Sequence, residues 1–152
     1  MASSRFESMI RRINWYPPFL GMGIKVVDWS PEYTRFDVEL REKWYTRNLF
    51  GTHFGGSLYT MTDPFYVFIV TLNLGRDYIV WDKSAQIEFL KPAKGIVRAV
   101  FEIPSKRLDR MRAEVNETGK QHYVFETDLR DPDDVVVARV RKTVYVRRKR
   151  RD

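Results

Sequence analysis

The sequence contains no cysteine, which removes disulfide bridges, thiolate zinc sites and cysteine nucleophiles from consideration. It has two histidines, His53 and His122, too few for a histidine-rich metal centre, and neither a metal nor a cofactor is expected. No apolar run is long enough to cross a bilayer: the longest, Pro64 to Gly75, falls well short of the ~20 residues a spanning helix needs. A secretory apolar segment is missing from the N-terminus as well, so a soluble, cytoplasmic chain is expected. Internal repeats and low-complexity linkers are also lacking. Net charge is absent from most of the chain, because residues 1–138 hold nineteen basic and nineteen acidic side chains.

What is present is a globular composition, 43% hydrophobic and 14% aromatic over 152 residues. A chain of this length buries about two-thirds of its unfolded surface in one domain. A single domain is expected over residues 1–146, with an N-terminal amphipathic helix in residues 1–16. The whole formal charge of +7 sits at the other end, on the last strand and a basic tail of residues 147–152. Such a tail either takes anions, such as CoA phosphates, nucleic acid or acidic lipid, or is a solvated end that aids solubility.

Ser4 and Glu7 form a capping-box pattern ahead of Phe6, Met9, Ile10 and Ile13 at helical spacing, and Pro17-Pro18 is expected to stop that helix. Strands are expected over Gly21–Trp29, Tyr33–Leu40, Tyr78–Lys91, Ile96–Ile103, Lys120–Arg130 and Val135–Val146, from alternation such as Phe36, Val38, Leu40 or Val140, Val144, Val146. A long helix should run from Gly56 to Leu74, kinked at Pro64, and a second from Lys106 to Glu117 with Ser105 as N-cap and Gly119 as stop. The second half of the long helix is apolar on every side, which implies burial all round. A sheet of antiparallel strands around one buried helix is an α+β layer architecture.

The segment Asn48 to Asp63 carries the chemistry. If a helix starts near Gly55, Asp63 lies two turns beyond Gly56 on the same face. A glycine at a helix start exposes backbone N–H groups that suit a developing oxyanion. A carboxylate among Met61, Phe65 and Tyr66 is costly to bury unless paired or used. Donors and carboxylate together suggest acyl transfer or hydrolysis. The competing reading makes Asp63 an N-cap with Pro64 as the first helical residue. Gly55-Gly56 and Asn48 likewise read as turn residues or as site residues.

The spacing of Asn48, Gly55, Gly56 and Asp63, followed by Ile87-Glu88-Phe89-Leu90-Lys91-Pro92, resembles the acyl-CoA thioesterases of the hotdog fold, nearest to the phenylacetyl-CoA thioesterase type. The resemblance implies an antiparallel sheet wrapped around a long central helix. It also implies a homodimer or dimer of dimers with active sites between subunits, and hydrolysis of an acyl-CoA or other acyl thioester. In its terms Asp63 is general base or nucleophile, the Gly56 N–H polarises the thioester oxygen with Gly55 beside it, and Asn48 orients the carboxylate or water. That type has histidine directly before the glycine pair, whereas this chain has Phe54 there and His53 one position earlier. His53 and Phe54 are therefore expected beside the substrate, with His53 otherwise a loop residue. Trp44 and Tyr45 could wall an acyl pocket. The alternative function is a non-catalytic acyl binder, or an anionic-surface or nucleic-acid binder using the tail. Against nucleic acid stand the neutral body and the lack of a recognition motif.

Overall fold

The computed structural model describes residues 4–150, with side chains described from residue 8 onward. The capping box of Ser4 and Glu7, the Phe6 contact and the last two tail residues fall outside what is described. The N-terminal helix forms as α1 (Ser4–Arg11), and Ile10 and the following Ile13 are buried. Pro17-Pro18 is not its stop: α1 ends at Arg11 and a 3-10 turn, Ile13–Trp15, intervenes. The pair opens a further helix, α2 (Pro17–Met22), with proline in its first turn, where a fixed φ suits the helix and the missing N–H is not needed. Strand β1 (Ile24–Trp29) therefore starts three residues later than expected. Between them Gly23 turns the chain at φ 78°, where a Cβ would run into the Arg41 carbonyl oxygen.

The remaining elements follow in the order β2 (Arg35–Arg41), α3 (Gly55–Thr60), α4 (Phe65–Leu74), β3 (Tyr78–Phe89), β4 (Ile96–Glu102), α5 (Ser105–Thr118), β5 (Lys120–Arg130) and β6 (Val136–Arg148). Six antiparallel strands make one sheet in the order β1-β2-β4-β5-β6-β3. The sheet packs its inner face on α4. Phe65 lies 4.8 Å from Phe101 and 5.6 Å from Phe36, and Tyr66 stacks on Phe125 at 4.7 Å. Burial pushes the Tyr66 hydroxyl up, and it bonds the backbone of Glu126 and the Thr127 hydroxyl. Ser105 is the first residue of α5, not its cap, and Gly119 stops the helix in the left-handed region as expected.

Two departures bear on the site. The expected long helix is two helices, α3 and α4, separated by Met61 to Pro64. Pro64 does not kink a continuous helix; it sits at the N-cap of α4. Second, the alternation of Ala85, Ile87 and Phe89 reads as a half-buried strand, yet Ala85 and Phe89 are exposed and Ile87 only half-buried. β3 is the last strand of the sheet, so one of its edges has no partner strand among the described residues. The first residues assigned to the tail, Arg147 and Arg148, belong to β6, and Lys149 still donates its N–H to the Asp77 carbonyl. No helix among the described residues is long and apolar enough to cross a membrane.

Candidate active site

The loop before α3 is built around Asn48. Its amide donates to Thr52 Oγ1 (2.9 Å) and to the His53 carbonyl (3.2 Å), and its Oδ1 accepts from the N–H groups of Phe50 and Thr52. Both donors and both lone pairs are thus used inside the loop, so Asn48 shapes the backbone and orients neither Asp63 nor a water. His53 is also structural in this arrangement. It is 3% exposed, and its Nε2 lies 2.7 Å from the Gly95 carbonyl, which can only accept. Nε2 therefore carries the proton, and the buried Nδ1 has no partner. Glu42 accepts the Gly95 N–H at 2.6 Å, and that bond holds its carboxyl below the usual range. The ring is thus committed to the Gly95 carbonyl, which gives His53 a part in holding this loop.

α3 begins at Gly55 with Phe54 as N-cap. Phe54 is half exposed and its ring lies over Gly56, where a Cβ would strike it; the Phe89 ring lies 3.1 Å from a Cβ placed at Gly55. Glycine here leaves room for the chain's own aromatic rings, which a Cβ would have to displace. The N–H groups of Gly55 and Gly56, the first of the helix, have no backbone acceptor among the described residues. A cleft of about 550 Å³ reaches this point, lined by Asn48, Phe50, His53, Gly55, Phe89 and Lys91 among others.

Asp63 lies at the other end of α3, in the break before α4. Its side chain is 61% exposed, so the burial expected among Met61, Phe65 and Tyr66 is not found. Nor is it a cap, since α4 has Pro64 at its N-cap and no side-chain capping bond. Its neighbour is a residue that the strand pattern concealed. Lys142 points inward from β6 and is 0% exposed. Its ammonium donates to Asp82 Oδ2 (2.7 Å), to the Thr62 carbonyl (3.3 Å) and to the Asp63 carbonyl, and lies 3.7 Å from Asp63 Oδ1. Burial pushes the Asp82 carboxyl up against the pull of Lys142, and Asp82 Oδ1 is buried without a partner.

A second cleft, of about 680 Å³, opens beside Asp63 between α1, α2, α3 and α4. Trp15, Tyr16, Phe19, Tyr59 and Phe68 line it, and Asp63 is the carboxylate on its wall. Trp44 and Tyr45, expected as the acyl wall, pack edge to face on each other in solvent instead. The predicted residues are therefore divided. The Gly55-Gly56 start and the Asn48 loop share one cleft, and Asp63 faces another. α3 from Gly55 to Thr60 rises about 8 Å and Asp63 lies beyond its end, so the glycine pair and the carboxylate of one chain stand at opposite ends of the helix, on different clefts.

Solved structures share this architecture throughout their length. A Pseudomonas aeruginosa protein of unknown function named a "Probable Thioesterase" matches with a TM-score of 0.83 at 20% identity, over 98% of this chain and 99% of that one. A Haemophilus influenzae thioesterase matches at 0.67 and 15% identity, over 91% and 88% of the two chains. The Escherichia coli PaaI protein from the phenylacetic acid degradation operon matches at 0.63 and 15% identity, over 99% and 97%. The fold is the hotdog fold, as the resemblance carried by Asn48 to Asp63 implied. Within it, the chain belongs to the family described as a domain of unknown function (DUF4442), which matches residues 4–146. No curated protein matches it significantly.

Proposed function

We propose that the protein is a thioesterase that hydrolyses acyl-CoA or another acyl thioester with an apolar acyl group. The observation that carries this reading is an exposed carboxylate, Asp63, on the wall of an aromatic-lined cleft. An apolar pocket with few polar groups selects an acyl chain and leaves the carboxylate to act at its mouth. Asp63 takes a proton from water as the water oxygen bonds to the thioester carbonyl carbon. The resulting oxyanion is met by the Gly56 N–H, with Gly55 next to it. The C–S bond then breaks, and the proton held by Asp63 goes to the departing thiolate. In the nucleophile variant Asp63 attacks the carbonyl carbon and the C–S bond breaks, expelling the thiolate; water then attacks the anhydride, releasing the acid and the Asp63 carboxylate, and its proton goes to the thiolate.

Because the glycine pair and Asp63 line different clefts at opposite ends of α3, the two that meet at one carbonyl come from different copies of the chain. β3 offers the means: it is a twelve-residue edge strand with Trp81 and Phe89 more than half exposed. Long exposed edges invite a partner strand. In the assembled site Phe54 and Phe89 flank the scissile group, and Asn48 and His53 hold the loop that presents the glycines.

Asp63→Asn tests the mechanism. It keeps shape and removes the base, so kcat should fall by roughly a hundredfold or more with the melting temperature unchanged. Turnover of a panel of short, long and aromatic acyl-CoAs, read by thiol release, measures both the effect and the preferred acyl group. Full activity in the variant removes Asp63 from the chemistry.

A further inference from the structure

We propose that Lys142 is the positioning residue for Asp63, and that Asp82 is the counter-charge that keeps Lys142 aimed. This rests on the thioesterase reading and adds to it how the acting carboxylate is held. The inward face of β6 runs Ala138, Val140, Lys142, Val144, Val146, and all five are buried. Four of them fill the core. A lysine in that row gains nothing from packing and loses the hydration of its charge, so its contacts must supply the reason for it.

Those contacts converge on the residue that bears the acting carboxylate. An ammonium has three N–H groups, and three acceptors account for them: Asp82 Oδ2, the Thr62 carbonyl and the Asp63 carbonyl. The Thr62 and Asp63 carbonyls lie in the break between α3 and α4 and accept no backbone N–H among the described residues. Lys142 therefore replaces the missing helical bonds and fixes the backbone of residue 63 itself. Cations suit the carbonyl end of a helix for the same reason. The Asp63 carboxylate is 3.7 Å from the ammonium, close enough to be oriented by its charge, while the three N–H groups are directed elsewhere. Its oxygens remain open to water. Asp82 reaches the ammonium from β3, where the register shifts between Asp82 and Ser84; a bulge of this kind re-aims side chains beside functional sites.

The test uses the absence of cysteine. Lys142→Cys introduces the chain's single thiol, which 2-bromoethylamine, applied to the unfolded chain before refolding, converts into a side chain of lysine's length and charge. Unmodified Lys142→Cys should lose kcat by about tenfold or more, within the range of acid–base effects, with KM changed less than about twofold. Aminoethylation should restore kcat. The companion variant Lys142→Met/Asp82→Leu removes both charges, so a folded protein is available even if the single change is unstable. It should remain folded, its melting temperature lowered only by the two carbonyls left without a donor, yet keep the low kcat. If this folded double variant turns over at the wild-type rate, Lys142 is only a structural residue and the proposal fails. Wild type and Asp63→Asn are run alongside. An inactive wild type or an active Asp63→Asn overturns the thioesterase reading, and this inference with it; an active wild type, an inactive Asp63→Asn and an active double variant overturn this inference alone.

Discussion

Asp63 is 61% exposed while the ammonium beside it is wholly buried, and this contrast separates the roles of neighbouring residues. Because Asp63 caps nothing, Asp63→Ala should cost no more stability than Asp63→Asn, where a capping aspartate would lose about 1 kcal/mol; paired thermal melts decide it. His53 differs in kind. His53→Ala leaves the Gly95 carbonyl without its donor, a loss of about 1–3 kcal/mol for a buried group, whereas His53→Gln can still donate and should recover much of it. Denaturant titration of the two variants measures the difference, and equal destabilisation would mean that ring volume, not the bond, is what matters. At this scale the sequence located the carboxylate by spacing but not its surroundings. Exposure at 63 depends on where the helix breaks, and that depends on a lysine eighty residues on. Lys142 was in view, in phase with Val140 and Val144, and a lysine on the apolar beat of a strand is the signal that finds it.

Between elements, the decisive feature is the division of one expected helix into α3 and α4. Pro64 was read as a kink within one helix, but proline disturbs a helix less when it opens a new one, and here two carbonyls on its N-terminal side are taken over by a side chain from the sheet. The same preference explains α2, which begins at the proline pair read as a stop. The strands were more legible, since alternation is a property of the strand alone; β5 has its expected bounds. What alternation cannot supply is a strand's place in the sheet, so β3 looked half-buried although it lies at an edge. α3 itself offers a test. Gly56→Ala improves helix propensity by roughly 0.5–1 kcal/mol, and the ring it meets belongs to a half-exposed phenylalanine that can swing aside. The melting temperature should therefore hold or rise while kcat falls, because the methyl group and the displaced ring crowd the N–H that faces the carbonyl. A fall in both would mean that Phe54 cannot move.

For the molecule as a whole, the proposed assembly rests on the edge of β3 and the exposed Trp81, Phe89, Leu49 and Phe50. Light scattering at micromolar concentration should give twice the mass of one chain or a larger even multiple, and a single 18.2 kDa species would contradict the proposed assembly. The spacing along α3 then has a consequence that can be read without any structure. Under the proposed mechanism Asp63→Asn chains lack the base and Gly56→Ala chains have an obstructed donor, so each pure preparation should be nearly inactive. Unfolded together and refolded, they assort at random, and a mixed pair holds one site with both an intact glycine and an intact aspartate. Two dead proteins should thus complement one another to roughly a quarter of the wild-type rate, as expected for a two-fold pair with two equivalent sites. If both residues serve within one chain, mixing restores nothing.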